Sequence, residues 1–244
     1  MKKLIRFLIP KKIRYLLWKL IIYIKNIYYL IKFKLFSKSE KYFEFDGLKF
    51  RYFSAFYNST FQNERAIEIP IALFFIKKYY EKEILEIGNV MSHYFKVNYD
   101  IVDKYEKGRK VINSDIIDFN FKNKYDLIVS ISTFEHIGFD EVIRYGNVKN
   151  YKIRNEALVI AIEKAKNLLK PEGLFIFTAP LGFNSFLDSQ LVENKLELSQ
   201  VFYFKRISAN NEWKQVNFDE IKSIKYGQPY NSANGLLVGL YRNI

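Results

Sequence analysis

Residues 84–180 contain short apolar runs separated by polar, turn-forming and helix-forming segments. Runs of this length, bounded by glycine or polar residues, are typical of strands that are buried on both faces of a sheet. Their alternation with helical patterns predicts βαβ units and therefore a parallel α/β sheet. The predicted strands are 84–88, 99–103, 110–113, 126–132 and 174–179.

The segments on either side extend this pattern. Residues 42–53 alternate aromatic and polar side chains around Asp46-Gly47, which predicts a hairpin. A helix is predicted over 63–80, with a kink or a break at Pro70. A second helix over 155–169 is predicted to stop at Pro171 and Gly173. Two further strands are predicted, at 201–206 and 236–241.

Charge divides the chain into two parts. Residues 1–41 hold twelve of the 39 lysines and arginines but only one of the 26 acids, Glu40, so their net charge is +11 and that of the remaining residues is +2. We therefore expect a basic apolar segment over 1–41 and one domain over 42–244. This distribution argues against a nucleic-acid partner, because basic residues are not spread around a cleft. The absence of cysteine excludes disulfides, thiolate metal sites and a cysteine nucleophile.

Residues 13–36 are rich in leucine, isoleucine and aromatic side chains at helical spacing. Three interpretations are open: a helix lying in the membrane interface, a helix packed on protein, and a helix that spans the bilayer. The interfacial helix is preferred, because lysines interrupt the apolar runs and tyrosine and tryptophan favour headgroup depth. An anionic membrane surface is the expected partner.

Polar residues end the predicted parallel strands, at the edge where open α/β sheets bind ligands. Glu86 and Gly88 end the first, Asp103 the second, and Asp115 follows the third. Acids in this arrangement suit a ligand that offers hydroxyls and an amine. Asp103 is placed to accept both hydroxyls of a ribose, and Asp115 an adenine amino group. Ser132 ends the fourth strand, and Glu135 and His136 follow it.

The order of the runs ILEIGNV, YDIVDKYE, VINSDIIDF, YDLIVSISTFEHIG and KNLLKPEGLFIFTAP resembles the class I S-adenosylmethionine-dependent methyltransferases over about residues 60–184. The resemblance implies an α/β, Rossmann-like class I methyltransferase sheet, mostly parallel with a late antiparallel strand pair, here with a basic apolar N-terminal helix in addition. It also implies S-adenosyl-L-methionine as cofactor. The residues that match the family's cofactor-binding positions are Glu86, Gly88, Asp103, Asp115, Ile116 and Ser132.

One departure concerns the loop after the first strand. The family usually carries an acid followed by three glycines at alternate positions, whereas here Gly88 is kept and Val90 and Ser92 occupy the next two places. This departure motivates an alternative function, a catalytically inactive methyltransferase-like module that acts in assembly at the membrane.

The preferred function is O-methylation of a glycan or surface-polymer precursor by a cytoplasmic enzyme, peripheral on the inner face of the membrane. A sugar hydroxyl needs a base, and His136 is the predicted catalytic residue, with Glu135 orienting it. His93 is a second candidate, and Arg65 a candidate for the cofactor's methionine carboxylate. No metal is expected, because the sequence contains no cluster of metal ligands. A nucleic-acid methyltransferase is disfavoured, since SISTFEH lacks the Pro-Pro motif of base-amino methylases.

Overall fold

The structure, a computed structural model, describes residues 11–37, 41–140 and 153–244. Residues 1–10 and 38–40 of the predicted basic segment lie outside this part. The strands, in chain order, are β1 (Tyr42–Phe45), β2 (Leu48–Arg51), β3 (Ile84–Ile87), β4 (Asp100–Asp103), β5 (Val111–Asn113), β6 (Tyr125–Ile131), β7 (Leu169–Pro180), β8 (Gln200–Arg206), β9 (Trp213–Val216) and β10 (Gly235–Arg242).

Eight of these strands form one sheet in the order β5-β4-β3-β6-β7-β10-β8-β9. The strands from β5 to β7 are parallel, and β10 is antiparallel to both β7 and β8. The predicted parallel sheet and the late antiparallel pair are thereby confirmed. The order reverses between β3 and β6, and the segments that follow these two strands pack on opposite faces of the sheet, an arrangement that leaves a crevice for a ligand.

The helices are α1 (Lys11–Ser37), α2 (Arg65–Lys78), α3 (Asn155–Asn167) and α4 (Ser185–Val192). The predicted break at Pro70 is wrong, because α2 runs through it without interruption. Pro70 has no N–H to donate to the carbonyl of Ala66. The amide of Phe53 donates to that carbonyl instead, at 2.8 Å, so the acceptor freed by the proline is satisfied.

The second predicted helix ends earlier than expected. It stops at Asn167, and β7 begins at Leu169, so Pro171 and Gly173 lie in the first part of a strand. The pairing of β7 with β6 shifts register over this stretch, between the pairs Tyr125–Leu169 and Leu127–Leu174. The irregularity tolerates a proline that a regular ladder would exclude.

The predicted hairpin is present as β1 and β2. Asp46 and Gly47 both have positive φ, 50° and 74°, as the tight turn requires. Phe43 and Phe45 are buried and pack on Phe204 of β8, so the hairpin covers one face of the sheet. Strand β9 was not predicted.

Two apolar cores lie on opposite faces of the sheet. Along β6, Leu127, Val129 and Ile131 face α2 and the hairpin, whereas Ile128 faces α3 and α4. This alternation holds the carboxyl end of β6 between two packed layers. The polar residues that follow the strand are therefore fixed by a rigid framework.

Helix α1 contacts the body through its last turns. Phe33 packs on Phe61 with ring centroids 5.5 Å apart, and Phe36 lies 5.9 Å from Tyr52. Much of the remaining apolar surface of α1 is exposed. Neither α1 nor any other helix in the described ranges has the length and hydropathy that crossing a bilayer requires.

Candidate functional site

A cleft of about 330 Å³ opens at the carboxyl ends of β3, β4, β5 and β6. Its volume is within the range of small-molecule sites. Of the predicted site residues, Gly88, Asp103, Asp115, Ile116, Ser132 and His136 line it, together with Arg65 and His93; Glu86 and Glu135 do not.

Gly88 begins the loop after β3 with φ at +85°. Its amide donates to the carbonyl of Val102 on β4, at 2.9 Å. A Cβ at this position would lie 2.1 Å from Oγ1 of Thr133, which follows β6. Both the positive φ and the close approach of the two loops therefore require glycine here.

Glu86 lies beneath this loop and is fully buried. Its Oε1 accepts hydrogen bonds from the amides of Val90 and Met91, both at 2.8 Å, and its Oε2 accepts one from the Tyr99 hydroxyl at 3.2 Å. Burial raises the pKa of Glu86 to about 7, although the two amides oppose the shift. Glu86 supports the wall of the cleft without lining it, so it can affect cofactor binding only through the conformation of the loop.

Val90 and Ser92, which occupy the two missing glycine positions, lie in the loop that Glu86 supports. The loop turns into a short 3-10 helix, Met91–His93, immediately after Val90. The hydroxyl of Ser92 donates to the side-chain carbonyl of Asn89. The loop thus closes around a buried carboxylate and an asparagine.

Asp103 lies at the end of β4, and its carboxylate already binds three backbone amides. Oδ1 accepts from Tyr105 and Glu106, at 2.8 and 2.7 Å, and Oδ2 accepts from Asn89 at 2.9 Å. A carboxylate has about four acceptor positions. Among the described contacts, one position remains, on Oδ2, so the predicted binding of both ribose hydroxyls by Asp103 alone is not what this geometry favours.

Glu106 is a cleft residue that the sequence analysis missed. Its Oε2 accepts from Nδ2 of Asn89 at 2.8 Å and lies 2.9 Å from Nε2 of His93. It follows Asp103 by three residues, a spacing that could have drawn attention to it. The ring of His93 also stacks on Tyr57, with centroids 4.7 Å apart, so His93 forms part of a wall.

Asp115 and Ile116 form the cleft wall beyond β5. Oδ1 of Asp115 accepts from the amide of Ile117 at 3.0 Å, and Oδ2 pairs with Nζ of Lys104 at 2.9 Å. Ile116 is nearly fully buried and contributes an apolar surface. An apolar wall beside a hydrogen-bonding carboxylate suits an aromatic base with an amino group.

Ser132, at the end of β6, belongs to a buried polar network with α2. Its hydroxyl and that of Thr178 both donate to Oε1 of Glu68, each at 2.6 Å. Oε2 of Glu68 accepts from the guanidinium of Arg65 at 2.6 Å. Glu68 is fully buried, and this pairing holds Arg65 at the cleft. Glu68 was not identified from the sequence.

His136 has a carboxylate near each ring nitrogen. Nδ1 lies 2.6 Å from Oδ1 of Asp140, whereas Nε2 lies 3.6 Å from Oε1 of Glu135. Burial raises the pKa of Glu135 well above its usual range, which favours the neutral acid. The closer carboxylate is therefore Asp140, and it is better placed than the predicted Glu135 to orient the imidazole.

Glu135 lies behind the cleft, almost completely buried. Its backbone carbonyl accepts from Nδ2 of Asn184 at 2.8 Å, and its Oε2 has no hydrogen-bond partner among the described residues. Within those residues, no group of three or more histidine and acidic side chains is arranged to hold a metal ion.

No model of a known protein family matches the sequence, and no curated protein matches it. Among solved structures, the chain is similar to the N-methyltransferase NodS from Bradyrhizobium japonicum WM9, solved with S-adenosyl-L-homocysteine (13% identity, 74% of this chain and 93% of NodS covered, TM-score 0.41). It is also similar to TehB from Haemophilus influenzae (15%, 73% and 63%, 0.39). A third is the glycopeptide N-methyltransferase MtfA, also solved with S-adenosyl-L-homocysteine (8%, 70% and 88%, 0.38). These likenesses are distant, so the function of this chain is inferred from its own cleft.

Proposed function

We propose that the protein is an S-adenosyl-L-methionine-dependent methyltransferase of class I. The observation that carries the proposal is the cleft itself: Gly88 follows β3, Asp103 ends β4 and Asp115 follows β5, and β3 borders the point where the strand order reverses. A nucleoside with free hydroxyls and an amino group matches this set of acceptors.

Different residues of the cleft would bind different parts of the cofactor. Asp103 would accept a hydrogen bond from one ribose hydroxyl, and Glu106 would accept one from the other. Asp115 and Ile116 would hold the adenine, and Arg65, held in place by Glu68, would bind the methionine carboxylate. When bound, the cofactor would supply a methyl group already activated by its sulfonium.

The acceptor in this proposal is a hydroxyl of a glycan or surface-polymer precursor. His136 lines the cleft next to Ser132 and takes the acceptor proton as a general base. Asp140, 2.6 Å from Nδ1, favours the tautomer in which Nδ1 carries the hydrogen and the lone pair of Nε2 accepts that proton. The cleft walls align the reactants and exclude water.

Attachment to the membrane is part of the same proposal. Helix α1 exposes a broad apolar surface in a segment with a net charge of +11, and both properties favour an anionic lipid surface. The protein then works as a peripheral enzyme on the cytoplasmic face of the membrane.

The test is isothermal titration of the full chain with S-adenosyl-L-homocysteine, comparing the parent with Asp103→Asn and Glu106→Gln. Each variant removes a charge-assisted hydrogen bond, so each should weaken binding by about tenfold or more. Asp118→Asn, an exposed acid outside the cleft, is the matched control and should bind like the parent. Absence of binding by the parent would refute the proposal.

A catalytically inactive module remains the second candidate, favoured by Val90 and Ser92 in place of two glycines. The two candidates differ in turnover. The enzyme should transfer labelled methyl from S-adenosyl-L-methionine to a membrane glycan-precursor fraction, and His136→Ala should abolish most of that transfer. An inactive module would transfer no label above the level of His136→Ala.

A further inference from the structure

Helix α1 has two different sides. Phe33 and Phe36 face the body and pack on Phe61, with ring centroids 5.5 and 6.5 Å apart. At about 100° per residue, Ile24 lies on the side opposite Phe33. That opposite side includes seven exposed aliphatic residues, each with at least 40% of its surface exposed: Ile13, Leu16, Leu17, Leu20, Ile24, Ile27 and Ile31. The apolar surface of α1 therefore points away from the protein.

The chemistry around this apolar side favours an anionic lipid surface as its occupant. Residues 1–41 carry net +11, and Lys25 lies about 100° around the helix from Ile24, at the edge of the apolar side. Lysines at the edges of an apolar helix face reach lipid phosphates while the aliphatic side chains enter the interface. A charged protein partner would have to be strongly acidic and apolar at once.

The body side of α1 rests on a segment that also forms the cleft wall. Phe33 contacts both Phe56, which precedes the 3-10 segment Tyr57–Gln62, and Phe61 within that segment. Tyr57 and Asn58, from the same segment, line the cleft, and Tyr57 stacks on His93. One short stretch of chain thus separates α1 from the cofactor cleft.

This stretch has a conformation that depends on its neighbours. Asn58 and Ser59 both have positive φ, 52° and 46°, in the left-handed region that non-glycine residues rarely adopt. The conformation is held by Nδ2 of Asn63, which donates to the carbonyl of Asn58 at 2.8 Å, and by burial of Phe61 under α1. Displacing α1 would remove part of that support.

We infer that α1 docks on an anionic lipid surface and that docking stabilises the cleft wall at Tyr57 and Asn58, so that lipid binding and cofactor binding strengthen each other. The inference rests on the proposed function, because it assumes that the cleft binds the cofactor. The coupling must be reciprocal, since both ligands favour the same conformation of the 57–62 segment.

The experiment titrates the full chain with S-adenosyl-L-homocysteine alone, with phosphatidylcholine vesicles, and with vesicles that also contain phosphatidylglycerol. Anionic vesicles should tighten binding by about fivefold or more, and S-adenosyl-L-homocysteine should tighten vesicle co-sedimentation by the same factor. Neutral vesicles should have little effect. Co-sedimentation provides a readout that does not depend on turnover.

Four variants separate docking from coupling. Ile24→Glu should abolish co-sedimentation and the vesicle effect together, whereas Ile160→Glu, which changes an exposed isoleucine on α3, should change neither. Phe33→Ala should still co-sediment but lose the vesicle effect on cofactor affinity. Phe33→Leu, which retains most of the packing on Phe61, should recover it.

The possible failures are distinguishable. Binding of S-adenosyl-L-homocysteine that anionic vesicles leave unchanged, while the protein co-sediments with them, would overturn the coupling but not the proposed function. Failure to co-sediment, or a stable dimer through α1 that vesicles do not dissociate, would overturn the lipid occupant. No binding of S-adenosyl-L-homocysteine under any condition would overturn both proposals.

Discussion

Glu86 offers a direct test of how the loop after β3 is held. Its carboxyl is fully buried, and burial raises its pKa from the ordinary 4.5 to about 7. Glu86→Gln keeps the shape and removes the charge. The amide oxygen of glutamine can still accept from Val90 and Met91, and its amide nitrogen can donate to the Tyr99 oxygen. We expect this variant to be more stable than the parent at and above neutral pH.

The expected size follows from the two pKa values. Because the folded pKa is the higher one, the stabilising contribution of Glu86 is complete below pH 4.5 and is lost as the pH rises through about 7. For a buried group, the difference between the folded and unfolded pKa values corresponds to about 3 kcal/mol of stability. The destabilisation of the parent by Glu86, which glutamine removes, is about 1 kcal/mol at pH ~5 and about 3 kcal/mol at pH ~8. The stability advantage of the variant should therefore grow by about 2 kcal/mol between these two pH values.

Urea denaturation of both proteins at these two pH values measures the effect. The comparison between variants cancels the contributions of other titrating groups. Glu83→Gln, which changes an exposed acid just before β3, should show no such growth. If Glu86→Gln is destabilised equally at both pH values, Glu86 is ionised in the folded protein and its charged hydrogen bonds dominate.

Three further predictions concern the cleft and α1. His136→Ala should lower turnover by roughly a hundredfold with unchanged affinity for S-adenosyl-L-homocysteine in titration, and a collapse of that affinity would make His136 a cofactor or packing residue. Gly88→Ala should weaken the affinity for S-adenosyl-L-homocysteine by about tenfold or more, because its Cβ would collide with Thr133. Adding Thr133→Ala should recover part of the loss. An unchanged affinity in the single variant would contradict the close approach of the loops at Gly88 and Thr133. Deleting residues 1–31 should abolish vesicle co-sedimentation and leave the melting temperature unchanged. Deleting residues 1–36 also removes Phe33 and Phe36 and should destabilise the body by about 2–4 kcal/mol. Equal melting temperatures of the two deletion variants would show that these rings contribute little to the stability of the body.

The sequence was sufficient to predict the parallel strands and which polar residues follow them. Both are local properties, since a buried strand shows as an apolar run and its end shows as the first polar residue. The hairpin was predictable for the same reason, because Asp46-Gly47 permits the two positive φ values that its turn needs. The break at Pro70 was wrongly predicted because the residue that compensates for the proline, Phe53, is brought to it only by folding.

The roles within the cleft depended on contacts between distant parts of the chain. Glu86 and Asp103 both end strands, but folding turns Glu86 towards the amides of its own loop and surrounds the Asp103 carboxylate with three amides. The sequence predicted Glu135 as the partner of His136, whereas the structure brings Asp140 closer.

The sequence by itself determined the class of sheet and the edge at which a ligand can bind, because periodicity and strand ends are set residue by residue. Only the tertiary structure decided how the acids divide between supporting the loop and facing the cleft. A buried carboxylate must be hydrogen-bonded, and its donors come from whichever segments the packing brings near. The pair of Glu68 and Arg65, joined to Ser132 and Thr178 from two strand ends, exists only once α2 has packed on the sheet.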